Sequence, residues 1–358
     1  MIPATKPYLP NREAYNQLLD GIWERNWVTN HGPLVRELES KIAEYLDIEH
    51  ISFVSSGTTG LQLMLKSLPS GGEIITTPFS YVATTSAISW QGFTPVFADI
   101  LPTRLTIDPA KIREKINSQT RAILATHIYG NACEVEALEA IGKEFNIPVL
   151  YDGAHCFGSE YNGRSLLTYG DMAVLSTHAT KLFHTANGGF VISKTADQKR
   201  KIDLLRNFGH NGTNNFEGIG INGKNSEFHA AMGLAILKDA DALVEKRKKQ
   251  SAYYFEKLFD SGFGLIDIKN MGETNGSYFP IICSSKEKSA ELIAHCLKKE
   301  IELRRYFSPS LNKLDYVRYS ACPVAENISE RVICLPLYHS LKEEEQDGIL
   351  TEILKIHG

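Results

Sequence analysis

Between residues 50 and 195, short apolar runs alternate with stretches whose apolar positions recur every three or four residues. The runs predict strands at 51–55, 73–77, 94–98, 122–126, 149–152, 172–176 and 189–193, since a strand buried on both faces is continuously apolar. Helical periodicity falls between several of them, at 61–68, 83–90 and 135–145. Strands alternating with helices mean βαβ units, so the expected fold is α/β with a mostly parallel seven-stranded sheet flanked by helices. Ligands of such sheets gather beyond the carboxyl ends of the strands. Upstream, 11–25 and 33–46 read as amphipathic helices joined by "NWVTNHG". Downstream, 225–249 reads as one long helix with charge gathered at its end. Beyond it the elements shorten and become more polar. The expected division is a large domain over 1–240 and a smaller α+β domain over 241–358. No internal repeat interrupts this reading.

Composition narrows the function. With 43% hydrophobic and 22% charged residues over 358 positions, the chain can fill a sizeable core, and global disorder is not expected. A net charge of −4 without a basic run argues against a nucleic-acid partner. The six cysteines (133, 156, 283, 296, 322 and 334) are scattered with no CxxC pair, which suits a reducing compartment and not a zinc site or disulfide framework. "MIPATKPYLP" has no apolar core of the secretion-signal kind, and no apolar stretch is long enough to cross a membrane. The expected location is the cytoplasm.

Four stretches place chemistry at strand ends. In "ISFVSSGTTGLQLML" a strand runs into Ser56, Gly57 and Thr58 just before a helix. Hydroxyls and free amides there can hold a phosphate, or Ser56 can simply cap the helix. In "IPVLYDGAHCFGSEY" a strand delivers Asp152 to its carboxyl end, with His155 three residues on. The carboxylate could meet a ring cation, a metal or a proton, or could only shape the Asp-Gly turn. A metal is the weaker reading, because two candidate ligands do not complete a site. In "TTPFSYVATTSAI", Tyr81 precedes a helix, where its ring can stack on a planar ligand or belong to the core. Finally, "STHATKLFHTANGGF" holds Lys181 in a tight loop between two buried strands. A buried lysine has a lowered pKa, as Schiff-base chemistry requires. Together these stretches supply the contacts of one cofactor, pyridoxal 5'-phosphate: an amine, a carboxylate for the ring nitrogen, a phosphate cup and a stacking ring.

The chain resembles the DegT/DnrJ/EryC1/StrS family of sugar-nucleotide aminotransferases, which have the fold type I of pyridoxal-phosphate enzymes. The resemblance runs through the four stretches above and through "NWVTNHGPLVRELESKIAEYL", "GINGKNSEFHAAMGL" and "ERVICLPLYHSL". It implies that Lys181 bonds the cofactor's aldehyde and then shuttles a proton, and that Asp152 partners the ring nitrogen. It also implies His155 beside the ring hydroxyl, Tyr81 stacked on the ring, and Gly57, Thr58, Ser56 and Ser176 around the phosphate. Asn222, in the "GINGK" motif, would reach the cofactor of a neighbouring subunit, which implies a homodimer with shared sites. Relatives that act as 3-dehydratases carry histidine at the lysine position, so Lys181 favours transamination. L-Glutamate is the implied donor and a keto-sugar nucleotide the implied acceptor.

Within the family the chain looks most like the branch that forms dTDP-4-amino-4,6-dideoxyglucose from dTDP-4-keto-6-deoxyglucose, for O-antigen or another surface glycan. The 3-keto isomer is a second compatible acceptor, and a cyclitol-type ketone a third. Departures from the family pattern are Thr177, where Phe is common, and His184 and Asn187, where Asn and Glu are common. Changes so close to the cofactor also raise the alternative of a non-catalytic regulator on the same fold. His178, His184, Arg305 and Tyr306 are the expected contacts to substrate, the last two from "RRYFSPSLN".

Overall fold

All seven predicted strands form, and they lie side by side in one sheet. The computed structural model describes residues 1–267 and 272–357. The strands are β1 (Ile51–Val54), β2 (Glu73–Thr76), β3 (Thr94–Phe97), β4 (Thr120–Thr126), β5 (Val149–Asp152), β6 (Met172–Ser176) and β7 (Gly189–Ser193), in the order β1-β7-β6-β5-β4-β2-β3. Neighbours from β6 across to β3 pair in parallel. By contrast, β7 runs antiparallel to both β6 and β1. The reason is local. A parallel return needs a crossover, usually a helix, and residues 177–188 contain none, so the chain doubles back. That reversal creates the loop that carries Lys181.

The strands are mostly apolar along their centres because both faces are covered. Along β4, Ala122 and Leu124 join one buried cluster while Ile123 and Ala125 join another. The same alternation in β5 sends Leu150 to one face and Tyr151 to the other. A leucine or isoleucine so placed, fully removed from water, contributes roughly 1.5–3 kcal/mol. Helices α1 (Arg12–Arg25), α2 (Pro33–Leu46), α3 (Gly57–Lys66), α4 (Val82–Trp90), α5 (Pro109–Arg113), α6 (Val135–Phe145) and α7 (Ala196–Leu205) surround the sheet.

The stretch 225–249, expected as one helix, is two: α8 (Glu227–Leu237) and α9 (Ala240–Leu258). The break falls at Lys238 and Asp239. The Asp239 side chain points away from the helix to accept a hydrogen bond from the Tyr8 hydroxyl (2.8 Å). Apolar residues sit on both sides of the break, so periodicity could not reveal it. The turn lets α8 pack on α1 and α2, while Tyr254 and Leu258 of α9 enter a separate apolar cluster. In that region β8 (Gly264–Leu265), β9 (Pro280–Ile282) and β10 (Val332–Cys334) make a three-stranded antiparallel sheet. Among the described residues no helix is long and apolar enough to cross a membrane. All six cysteines are buried and free.

Two buried carboxylates tie α8 to α2 and α2 to the sheet. Glu227 of α8 accepts from the amides of Leu34 and Val35 at 2.9 Å each, capping α2, whose own N-cap residue is Gly32. Glu39 accepts from the Phe53 amide (2.6 Å), Arg206 (2.6 Å) and His31 (2.8 Å). Arg206 also donates to the Phe53 carbonyl and to Asp203, both at 2.7 Å. Burial pushes the Glu39 carboxyl up, but His31, Arg206 and the Phe53 amide together hold it at about 2. Because its folded value lies below its unfolded one, the stability it contributes is present above pH ~4.5 and is lost as pH falls towards ~2. Replacing Arg206 with Leu strands the carboxylate and should cost about 3–5 kcal/mol. Urea unfolding at pH 7 measures that loss. Wild type should weaken between pH 5 and 2 more steeply than Glu39→Gln does.

Candidate active site

The carboxyl ends of β1, β5 and β6 open into a cavity of about 400 Å³. Ser56, Gly57, Thr58, Tyr81, Asp152, His155, Ser176, His178, Lys181 and Tyr306 all line it, so residues up to 250 positions apart meet there. Asn222, His184 and Arg305 do not. Asn222 is exposed, in a bridge with Asn207. His184 is buried, and both its ring nitrogens are engaged: Nε2 donates to the Tyr8 carbonyl (2.7 Å) and Nδ1 accepts from the Ala186 amide (3.1 Å). It braces the loop behind Lys181 against the N-terminal segment. Arg304, the neighbour of Arg305, faces the cavity instead.

Asp152 ends β5 and is buried. Its Oδ2 accepts from Thr84 Oγ1 (2.6 Å) and its Oδ1 from the Ala154 amide (3.1 Å). Behind Thr84 stands a row of hydroxyls. Thr126 donates to Ser80 (3.1 Å), and Ser80, 2.8 Å from Thr84, is left to donate to it. The row is polarised towards the carboxylate. Burial raises the Asp152 carboxyl, opposed by the Thr84 and Ala154 hydrogen bonds and the Lys181 charge. Lys181 shows the mirror image, since burial lowers its ammonium and Asp152 pulls it back up. An acid and a base are thus drawn together inside one enclosure.

At the other end, Ser56 caps α3 through its side chain, which accepts from the Thr59 amide (3.0 Å). The first-turn amides of Gly57 and Thr58 have no carbonyl within the helix to pair with, and the helix dipole adds positive potential there. Gly57 is needed for close approach: a Cβ on it would lie 2.9 Å from Ser176 Cβ, filling the gap between helix and strand. The Tyr81 ring is 56% exposed at the start of α4 and so is free to cover a planar ligand. His155 Nδ1 accepts from the Tyr129 amide (3.2 Å), so the neutral ring keeps its proton on Nε2. Burial holds that imidazole well below its usual pKa, and the Lys181 charge adds to the effect.

These groups fit a pyridoxal-phosphate-dependent transferase: an anion cup, an exposed ring able to stack, a buried carboxylate and a half-buried amine around one cavity. The donor set fits the cofactor, and the gap kept open by Gly57 fits a phosphate. Comparison with known proteins makes the assignment specific. The DegT/DnrJ/EryC1/StrS aminotransferase family matches residues 11–354, and the chain belongs to it. It is 38% identical to a dTDP-4-amino-4,6-dideoxy-D-glucose transaminase of Shigella dysenteriae, covering 98% of both chains. It is 37% identical to the Escherichia coli protein of that name, covering 99% of this chain and 97% of that one. Among solved structures, DesI with its TDP-sugar product superposes with a TM-score of 0.91 at 29% identity, over 99% of this chain and 92% of the other. The protein is an aminotransferase that uses pyridoxal 5'-phosphate.

When bound, that cofactor supplies an aldehyde to take up the amino group and a ring to accept electron density from the carbon that loses its proton. The chain's residues do the rest. Lys181 would offer the amine and move a proton, Asp152 would keep a proton at the ring nitrogen, and the Ser56–Thr58 turn and Ser176 would hold the phosphate. Sequence reading missed Thr84, Ser80 and Thr126, although Ser80 and Thr84 stand four apart within a stretch already singled out. Thr84→Val should weaken pyridoxal-phosphate binding roughly tenfold or more, because a hydrogen bond to a charged group contributes about 1.5–3 kcal/mol. Titrating the cofactor-free protein by absorbance measures the change.

Proposed function

We propose that this chain transfers the amino group of L-glutamate to dTDP-4-keto-6-deoxyglucose, forming dTDP-4-amino-4,6-dideoxyglucose for a surface glycan such as O-antigen. What carries the reading is similarity over essentially the whole chain to two transaminases named for that product. Arg304 and Tyr306 at the cavity edge supply a cation and an aromatic face suited to a nucleotide diphosphate. NMR of the product made from dTDP-4-keto-6-deoxyglucose and glutamate tests it. A new amine at C4 is expected. An amine at C3, or no turnover, sinks the assignment.

The working unit in this proposal is a homodimer. Exposed Phe208, Phe216, Ile219 and Ile221 surround Asn222, and such an apolar patch suits a partner surface. Asn222 would then complete the phosphate cup of the second subunit. Mixing Lys181→Ala with Asn222→Ala protein should restore part of the activity that each lacks, because one hybrid site would be intact. Six free buried cysteines suit a cytoplasmic setting. The chain is proposed to divide at about residue 240, where α8 gives way to α9.

A further inference from the structure

Tyr278 reaches the reactive amine from a part of the chain that carries none of the recognised stretches. Its hydroxyl lies 3.3 Å from Lys181 Nζ and accepts a hydrogen bond from it. Nζ also sits 5.8 Å from the centre of the Tyr278 ring. Among the described residues, no other side chain hydrogen-bonds that amine. Three aromatic neighbours hold the ring: His155 at 4.8 Å, Tyr306 at 5.6 Å and Tyr129 at 5.7 Å between centroids.

What places Tyr278 is the fully buried Asn275. Its Nδ2 donates to the carbonyls of His155 and Phe157, both at 2.7 Å, and its Oδ1 accepts from the Ser277 amide (2.9 Å). Gly276 next to it has φ +63, and a Cβ there would lie 2.5 Å from the Arg247 carbonyl, so the turn requires glycine. The Asn-Gly pair therefore staples residues 275–278 onto the turn that follows Asp152. One piece of backbone sets the positions of both the carboxylate and the phenol.

We propose that Tyr278 is a positioning residue for Lys181, its hydroxyl holding the free ε-amine in the cavity and Asn275 holding Tyr278. A lysine side chain has about 2 kcal/mol of rotamer entropy, so an amine that must find one carbon benefits from a fixed partner. The partner needs to be neutral. A carboxylate at this distance would retain the ammonium and spoil the base, whereas burial raises the Tyr278 phenol and keeps it protonated. The hydroxyl still favours the ammonium somewhat, because a charge-assisted hydrogen bond is stronger than a neutral one. The other groups acting on Lys181 are Asp152, Tyr306, Tyr81 and Cys156, with His155 and His178 coupled to its charge. Tyr278→Phe leaves all of them in place.

The test needs no sugar substrate, so its result is independent of the acceptor proposed above. Cofactor-free protein is mixed with pyridoxal phosphate, and the rise of visible absorbance is followed from pH 6 to 10. Only the neutral amine reacts, so the midpoint of rate against pH reports Lys181. Tyr278→Phe should lower that midpoint by about half a unit to one unit and slow the plateau roughly three- to tenfold. Asn275→Ala, which keeps the phenol but frees its segment, should shift both in the same direction. A Tyr278→Phe profile that superimposes on wild type overturns the proposal. If circular dichroism shows Tyr278→Phe to be unfolded, Asn275→Ala decides alone, and an unchanged profile for it has the same consequence.

Discussion

Lys181→Ala should give a folded protein that shows no visible absorbance from bonded cofactor after gel filtration. Its single-turnover rate with glutamate should fall by at least about 10³-fold, since it loses both the covalent partner and the proton carrier. The structure supplies the reason this lysine and no other is meant. It lies in the β6–β7 loop, lines the cavity with Asp152, and has its ammonium lowered by burial. The remaining cavity residues stay as they are, so the cofactor should still bind through its phosphate. A variant that keeps the visible band would show that the amine is elsewhere. Added methylamine should recover a measurable part of the lost rate, because it restores a base without restoring the tether.

The second large effect is expected from Asp152→Asn. The size and shape of the side chain are retained, and an amide oxygen can still accept from Thr84, although the amide nitrogen cannot accept from Ala154. What disappears is the negative charge that keeps a proton on the ring nitrogen, and the single-turnover rate should fall by about 10²–10⁴-fold. Stability should move the other way. Burial raises the Asp152 carboxyl above its unfolded value, so ionising it disfavours the cofactor-free fold, a loss that begins as pH rises above the unfolded value and is complete above the folded one. Cofactor-free Asp152→Asn should therefore melt at or above the wild-type temperature at pH 7–8. A variant that is slow and also markedly less stable would mean that the carboxylate is structural. The opposed signs are the signature of a residue kept for chemistry at a cost in stability.

Much of this site was legible before folding was considered. Apolar runs located all seven strands of the large sheet, the rule of strand ends then pointed to Ser56 and Asp152, and the family resemblance added Ser176. Lys181 was legible because a lysine between two buried strands has little other use. The errors have a common cause. The stretch 225–249 read as one helix because periodicity registers burial and not direction, and both arms of the bend are buried. His184 looked like a substrate contact because it departs from the family pattern beside Lys181. In space it turns away and hydrogen-bonds Tyr8, a residue 176 positions upstream. Arg304 and Arg305 are adjacent, and nothing in their types says which one faces the cavity.

The amino-acid sequence by itself determined the fold class and the membership of the family, and it marked the stretches that line the cavity. Those properties rest on local signals: hydrophobic period, strand-end position and short motifs. Only the tertiary structure decided the surroundings of each group. The hydroxyl row behind Asp152, the carboxylates that bind α2 and β1, and the phenol on Lys181 join residues up to 193 positions apart. A threonine, glutamate or tyrosine has many uses, and its type does not say which. The choice is made when packing excludes water and leaves each polar atom the partners within about 3 Å.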